Sequence, residues 1–332
     1  MSYCATPIGF SRRRVVMAGL LLGAMGAAAR AEPFPGTRVI RIFVPSGAGS
    51  PPDAIARIVA TALGEADGWR MIVENRPGAL QSLAMADVLK QPADGLSIFP
   101  MSLGAIATPA LMPEKGLRLE TDFAPVVRIA NGYTVLVVHP SVPATTLPEL
   151  IALLKSQPDK LNYSAPPFGA PGHLLAEMFR IETGTSFAHV LYSQSHQRTV
   201  DLLSGRTQFA FYNTPGILDF VISGKLRALA LAGPKRIAAL KDVPTVVEAG
   251  FPNLVAEDFV GFVVRAGAPE ESIRGLNAAT NKVLANPAVR EKFVNLGYEA
   301  AGGTPDELGR LVASQAAYWA RIVKQSGIKL PQ

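Results

Sequence analysis

Cysteine is almost missing from this 332-residue sequence, and its scarcity narrows the chemistry open to the chain. Cys4 is the only cysteine, and it lies in an N-terminal segment that we expect to be removed, for the reasons given below. The remaining chain then has no thiol for a disulfide, a thiolate nucleophile or a zinc–sulfur site. No Leu-rich lipobox precedes Cys4, so we expect no lipid anchor there.

Motifs that mark common enzyme classes are missing as well. None of the histidines, which are His139, His173, His189 and His196, lies in an H-E-x-x-H pattern or a cluster with metal-ligand spacing. Gly-x-Ser-x-Gly is absent, so the chain lacks a nucleophile elbow. We therefore expect no catalytic residue, metal or cofactor. A serine, a histidine and an acid brought together only by folding stay open as an alternative, which would make the protein a hydrolase or isomerase.

The first 31 residues have the pattern of a secretory signal peptide. Arg12, Arg13 and Arg14 precede an apolar run over 15–29, and no acidic residue occurs before Glu32. The run ends in an A-x-A pattern at 29–31, which predicts cleavage before Glu32 and export to the periplasm. It is shorter than the ~20 residues of a membrane-spanning helix. The paired arginines leave both the general and the twin-arginine export routes open.

Removal of this segment changes the charge of the chain. It takes four arginines and no acid, which leaves 28 basic against 26 acidic residues and a formal charge of +2 instead of +6. Such a chain offers no electrostatic reason to bind nucleic acid. The 301 residues that remain of 332 suit two domains of ordinary size, and 48% hydrophobic residues over the whole sequence provide ample core.

Short apolar runs alternate with amphipathic helical stretches, which is typical of α/β layers. We expect strands at residues 39–44, 71–74, 97–101, 126–129, 133–138, 161–165, 208–211 and 259–264. We expect helices at residues 53–63, 80–90, 147–156, 173–182, 272–286 and 306–324. In the first helix, the apolar residues that share one face are Ile55, Ile58, Val59, Ala62 and Leu63.

One strand–loop–helix unit occurs twice, at residues 39–63 and 161–182. Each loop would place a helix N-terminus at the carboxyl edge of a parallel sheet, where open α/β sheets bind ligands. We therefore predict two lobes, with lobe 1 at 32–134, lobe 2 at 135–255 and a return to lobe 1 at 256–332. The chain would cross between them near 133–138 and 255–262, which forms a two-strand hinge.

The first loop, residues 45–52, suits an anion such as a carboxylate. Glycine leaves backbone N–H groups open to a ligand, and a helix N-terminus behind them adds partial positive charge. Asp53 lies where an N-cap or first-turn residue belongs. A nucleotide loop of the G-x-G-x-x-G kind would need glycine at position 52, which is Pro52. An ordinary tight turn is the alternative.

The second loop, residues 166–172, is poor in hydroxyl groups, so backbone N–H groups and waters would have to bind a ligand there. His173 either contacts ligand or packs at the helix start, and the polar patch at 192–197 either orders ligand or is a solvated loop. The predicted ligand-binding residues are Ser46, Gly47, Ala48, Gly49, Ser50, Asp53, Ser102, Phe168, Gly169, Ala170, His173, Tyr192, Tyr212, Asn213 and Phe259.

Several stretches resemble one family of extracytoplasmic receptors. They are Val73-Glu74-Asn75-Arg76-Pro77-Gly78-Ala79, His139-Pro140-Ser141-Val142-Pro143, Lys160-Leu161-Asn162-Tyr163, Gly224-Lys225-Leu226-Arg227-Ala228-Leu229-Ala230, Asp242-Val243-Pro244-Thr245-Val246-Val247-Glu248-Ala249-Gly250 and Gly302-Gly303-Thr304-Pro305-Asp306-Glu307. In this order they resemble the tripartite tricarboxylate transporter receptors, also called Bug or TctC-like solute-binding proteins. The resemblance spans nearly the whole chain that follows the signal peptide.

This resemblance implies a type II periplasmic-binding fold, with two Rossmann-like lobes, and a carboxylate held by backbone groups and waters from two mouth loops. Three pocket segments depart from the family pattern. The first loop keeps Asp53 but rearranges its glycines, the second has Pro166 and Pro167 where hydroxyls are usual, and Tyr192-Ser193-Gln194 replaces Tyr-Lys-Gly. These changes favour a ligand that is bulkier or less polar than a simple dicarboxylate, and they leave open a ligand outside the usual class of the family.

The function implied is that of a monomeric binding protein, not an enzyme, which delivers a small carboxylate to a membrane permease of the tripartite tricarboxylate type. A ligand-sensing partner of a two-component system fits the same sequence, and so does a scaffold that uses its lobes only for protein contact. A periplasmic hydrolase is the remaining alternative.

Overall fold

The computed structural model describes Met1 and residues 34–166, 169–192, 194–256 and 258–327. The predicted signal peptide, apart from Met1, and the predicted site residue Phe168 lie outside the described residues. No helix of the described chain is both long enough and apolar enough to span a bilayer.

The first half of the described chain builds most of one lobe and enters the second. Its strands are β1 (Val39–Val44), β2 (Arg70–Asn75), β3 (Ser97–Ser102), β4 (Phe123–Gly132), β5 (Thr134–Val138) and β6 (Asn162–Ala165). Its helices are α1 (Pro51–Asp67), α2 (Ser82–Leu89), α3 (Leu103–Leu111), α4 (Leu119–Asp122) and α5 (Leu147–Ser156).

The second half completes the second lobe and returns to the first. Its strands are β7 (Ala188–Leu191), β8 (Phe209–Asn213), β9 (Arg227–Leu231), β10 (Asp258–Arg265) and β11 (Tyr298–Ala300). Its helices are α6 (Pro171–Thr183), α7 (Ser195–Leu203), α8 (Leu218–Ile222), α9 (Glu270–Leu284), α10 (Pro287–Asn295) and α11 (Pro305–Ser326).

Two sheets organise the molecule, and each carries one lobe. The strand order is β2-β1-β3-β10-β4-β11 in the first sheet and β7-β6-β8-β5-β9 in the second. In the first sheet β1 pairs in parallel with β2 and β3, and in the second β6 pairs in parallel with β7 and β8. An antiparallel strand follows in each, β10 beside β3 and β5 beside β8. β10 and β5 are the first strands after each crossing between the sheets, and they hold equivalent positions in the two strand orders. The predicted two-lobed α/β class is confirmed.

The chain passes between the sheets twice, and one helix packs on both lobes. Only Tyr133 separates β4 from β5, and the return runs over residues 232–257, before β10. Helix α11 packs Leu308 against Gly261 of the first lobe, while Arg321 pairs with Glu182 of the second lobe at 2.9 Å. Trp319, in the same helix, is fully buried.

Helix α1 shows why these residues fold as they do. Ser50 at the N-cap is extended, Pro51 and Pro52 occupy the first turn, and Gly68 ends the helix in a left-handed conformation with φ 67°. The buried face is Ile55, Ala56, Val59 and Leu63. The predicted members Ile58 and Ala62 are only partly buried, because the face turns slightly from the one that spacing alone indicates.

The expected helix at 80–90 differs most from the structure. A short 3₁₀ turn over Ala79–Gln81 precedes α2, which begins at Ser82. Ala79, Leu80 and Gln81 have φ of 44°, 49° and 73°. Three successive left-handed residues without glycine are costly, so the surrounding packing must hold this turn in place.

Candidate functional site

Two adjoining cavities lie between the lobes. The first has a volume of about 460 Å³ and is lined by Pro45, Ser46, Gly78, Ala79, Leu80, Gln81 and Gly104 of the first lobe and by Gly169, Ala170 and Pro171 of the second. The second, of about 510 Å³, is lined by Pro51, Pro166, Ala170, Pro171, Gly172, His196, Arg198, Thr199, Phe211, Tyr212, Asn213, Gly216 and Tyr298. Both share Ala170 and Pro171, so the loops at 45–52 and 166–172 face each other across one cleft.

Three helix N-termini at this cleft have no side-chain cap. They are the start of α1 at Ser50, of α3 at Ser102 and of α6 at Ala170. Helices α5, α10 and α11 begin elsewhere and are capped by Thr146, Asn286 and Thr304, whereas α2, α4, α7, α8 and α9 also lack a side-chain cap. An uncapped N-terminus leaves N–H donors and partial positive charge for a bound anion.

The two loops leave backbone N–H groups open. Within the described chain, the N–H groups of Gly47, Ala48 and Ala170 find no acceptor, whereas those of Gly49 and Ser50 donate to Asp53 and Gly47. Some backbone N–H groups of the loops therefore form hydrogen bonds within the protein, and the others are available to a ligand.

Asp53 holds the first loop in shape. Its carboxylate, in a residue that is 2% exposed, accepts hydrogen bonds from Gly49 N (2.9 Å), Arg57 Nε (3.0 Å) and Asn75 Nδ2 (2.8 Å). Burial would raise the pKa of this carboxyl, but the bonds from Arg57, Gly49 and Asn75 outweigh burial and hold the pKa below its ordinary value. Asn75 also donates to Ser46 O at 2.9 Å. The structure thus gives Asp53 a positioning role beneath the loop.

The left-handed turn forms one wall of the first cavity. Thr108 Oγ1 donates to Leu80 O, and Ser102 Oγ donates to Gln81 Oε1 at 3.2 Å. The turn directs Leu80 at Gly169 of the other lobe, where a Cβ would lie 2.9 Å from Leu80 Cδ2. Gly169 itself has φ 74°, so both its conformation and this contact favour glycine.

Arg198 is a cleft residue that sequence reasoning missed. It lies in α7, is 7% exposed and lines the second cavity. One sequence signal could have indicated Arg198. It lies four residues before Leu202, which is fully buried, so both residues share the buried face of the helix. For the patch at 192–197 the sequence left open a ligand-ordering site or a solvated loop, and α7 begins inside this patch at Ser195.

Tyr212 and Asn213 line the second cavity, as their prediction would require. Tyr212 Oη lies 3.1 Å from Thr199 Oγ1. Asn213 Nδ2 lies 3.3 Å from both Asp258 Oδ2 and Tyr298 Oη of the first lobe, so it joins the lobes at the cleft.

Several predicted residues line neither cavity, and these are Gly47, Ala48, Gly49, Ser50, Asp53, Ser102, His173, Tyr192 and Phe259. Tyr192 donates from its hydroxyl to Asp201 Oδ2 at 2.8 Å, and His173 is 4% exposed. Phe259 is fully buried in the core, and its role in ligand binding stays a prediction. Strand β10, where Phe259 lies, is buried at every residue from 259 to 264, so both of its faces are covered.

His173 belongs to a polar cluster beneath the second loop. Its ligand atoms, those of Glu177 and those of His189 lie within 4.8 Å of one another, close enough to share a metal ion. Burial and, second, the neighbouring His189 lower the pKa of His173 to about 4. Arg180 Nη2 lies 2.8 Å from Glu177 Oε2, and its positive charge would compete with a cation. Sequence spacing missed the cluster because β7 contributes His189 from a separate element.

Two lobes around a cleft with uncapped helix N-termini define a solute-binding protein of the periplasmic type. Comparison with known proteins then gives the family. The model of the tripartite tricarboxylate transporter family receptor matches residues 55–328, and the chain belongs to this family.

Individual relatives cover nearly the whole chain. Protein BugT of Bordetella pertussis is 31% identical over 326 residues, 96% of this chain and 98% of the relative. The solved structure of Rpa4515 from R. palustris with adipate has a TM-score of 0.76 and 32% identity, and covers 89% of this chain and 99% of that one. MatC from Rhodopseudomonas palustris with bound malate has a TM-score of 0.74 and 26% identity over 87% of this chain and 100% of that one.

Family membership confirms the predicted class. The family consists of periplasmic solute receptors that work with tripartite transporters, so the chain is a receptor and not an enzyme. The predicted resemblance to Bug and TctC-like proteins is confirmed with it.

Proposed function

We propose that this protein captures a small carboxylate in the interlobe cleft and delivers it to membrane permease subunits of the tripartite tricarboxylate type. The observation that carries the proposal is the convergence of three uncapped helix N-termini on one cleft. A carboxylate there would accept hydrogen bonds from backbone N–H groups of both lobes. The closed state of the protein would therefore bind the ligand more tightly than the open state.

Relatives support the ligand class. Rpa4515 is described with adipate and MatC with malate, and both are carboxylates. The mouth loops of this chain supply the donors that such a group needs, mainly from the backbone, since Pro166, Gly169, Ala170 and Pro171 carry no side-chain hydrogen-bonding group. The charge of the ligand would thus be recognised by peptide N–H groups and helix ends.

Isothermal titration of the purified protein with mono-, di- and tricarboxylates, aromatic acids included, tests the proposal. We expect at least one carboxylate to bind and to raise the melting temperature, with linear diamines as the negative control. Failure of every carboxylate to bind would contradict the proposal.

A variant pair tests the role of the backbone. Ala170 has φ −66°, which proline accepts, so Ala170→Pro removes one N–H donor. We expect it to weaken carboxylate binding about tenfold, because a charge-assisted hydrogen bond is lost. Ala170→Val adds bulk at the same place but keeps the N–H, and it should bind several-fold more tightly than Ala170→Pro.

A further inference from the structure

The second cavity contains a buried cation that a single carboxylate at the helix N-termini does not use. This cation is the guanidinium of Arg198, in a residue that is only 7% exposed and lines the cavity beside Tyr212 and Asn213. Helix α7 carries it at the fourth residue, directly after the polar patch at the cleft mouth.

Within the described chain, the contacts of Arg198 are all with neutral groups. Its Nε donates to Ser164 O at 3.0 Å and its Nη2 donates to Phe211 O at 2.6 Å. Its Cζ lies 3.8 Å from the centre of the Tyr212 ring, a close cation–π contact. A guanidinium has five N–H donors, and within the described chain Nη1 donates to no acceptor.

No acid of the described chain neutralises this charge. Asp201, three residues further along α7, instead accepts bonds from Tyr192, Gln197 and Arg206. A buried cation without a counter-ion costs free energy, which two carbonyls and an aromatic ring offset only in part. An anion in the cavity would complete the set of partners.

We propose that Arg198 binds a second acidic group of the ligand, so that the cleft selects linear dicarboxylates over monocarboxylates of equal length. This inference rests on the proposed function, in which the first carboxylate lies at the uncapped helices. The two cavities adjoin at Ala170 and Pro171, so an extended ligand can reach both. Arg198 would then bind the acidic group at the end of the ligand that lies away from the helix N-termini.

A purely structural role for Arg198 makes a different prediction. Arg198 links α7 to β6 and β8 by hydrogen bonds to Ser164 O and Phe211 O. In addition, Ser164 Oγ donates a hydrogen bond to Arg198 O at 3.3 Å. If this were its whole role, its substitution would lower stability and would weaken dicarboxylates and monocarboxylates alike.

The experiment compares ligand pairs. Isothermal titration uses linear dicarboxylates of four to eight carbons, each against the monocarboxylate of the same length, on the wild type and on Arg198→Gln. We expect the wild type to prefer the dicarboxylate by about 10- to 100-fold, since a charge-assisted bond is formed. Arg198→Gln should abolish most of this preference and leave monocarboxylate affinity within about threefold.

A matched control is Arg206→Gln. Arg206 follows the same helix, pairs with Asp201 at 3.2 Å, and its side chain is 73% exposed, so this variant should keep the wild-type preference. If Arg198→Gln does not fold, Arg198→Lys replaces it, and we expect about tenfold weaker dicarboxylate binding because lysine lacks the planar fork.

The outcomes separate the two proposals. A wild type that binds no carboxylate overturns the proposed function itself. A wild type that binds carboxylates without preferring dicarboxylates overturns only the inference about Arg198. So does equal loss of both ligand types in Arg198→Gln or Arg198→Lys.

Discussion

Gly169 and Leu80 meet across the cleft, and a side chain at position 169 would begin 2.9 Å from Leu80 Cδ2. The two residues belong to different lobes, so this contact exists only while the lobes are close together. Gly169 thus permits the closed arrangement, and Leu80 is placed there by a backbone turn of three left-handed residues.

Substitution of Gly169 by alanine should therefore impair closure. We expect about tenfold weaker ligand binding, because the added methyl group overpacks the contact with Leu80. Gly184→Ala is the matched control, since Gly184 has φ 63° but open space around its Cα. Both variants should lose about 1 kcal/mol of stability from the backbone strain. Titration calorimetry measures the binding; equal affinities in the two variants would refute the closure role.

Asp53→Asn should loosen the first loop. We expect a fall of about 1–3 kcal/mol in the free energy of unfolding, because bonds from Arg57, Gly49 and Asn75 to a charged acceptor are weakened. Because the pKa of Asp53 is lowered, its contribution is present above the ordinary value of 3.8 and is lost as pH falls below it. Urea unfolding at several pH values measures both effects.

Asp67→Asn is the control for that experiment. Asp67 ends the same helix and pairs with Lys282 at 2.6 Å near the surface, so its loss should cost less than about 1 kcal/mol. A comparable cost for both variants would argue against a special role for Asp53.

Asp258 should give stability the opposite pH dependence. Burial raises the pKa of this carboxyl to about 6, so the folded state keeps a proton that the unfolded chain releases near 3.8. Stability from this group is complete below about 3.8 and is lost as pH rises towards 6. Denaturant titrations between these pH values should show a decline that Asp258→Asn abolishes. An identical profile in the variant would exclude Asp258 as the cause.

Processing of the N-terminus is directly measurable. We expect the protein recovered from the periplasm of an expressing cell to begin at Glu32, because the A-x-A pattern ends at Ala31. Intact-mass spectrometry reads this position. Replacement of Arg12 and Arg13 by lysine should block export only if the twin-arginine route is used. Recovery of a chain that still begins at Met1 would contradict the cleavage.

Periodicity and turn chemistry predicted much of the fold. Strand β1, helix α5 and the long α11 follow from apolar spacing, and both mouth loops follow from their glycines and prolines. Strand β11 was missed because three residues, Tyr298–Ala300, are too few to show a period. Helix α10 was missed although Asn286 and Pro287 form an ordinary helix start.

The cleft was less predictable than the fold. The left-handed turn at Leu80 is imposed by contacts with Thr108 and other distant residues, and no local pattern shows it. Arg198 was missed because its partners Ser164 and Phe211 come from separate strands. Local sequence indicates where a backbone loop will lie, whereas the side chains that face it depend on how the whole chain folds.

Helix α11 adds a mechanical constraint to the opening of the cleft. Leu308 fixes one part of it to the first lobe, while Tyr318, bonded to Asn253 O at 2.9 Å, and Arg321 fix another part to the second. Any rotation of the lobes must bend this helix, slide it or break its contacts. Opening of the two lobes is thus coupled to a rearrangement of α11, none of whose residues lines the two cleft cavities.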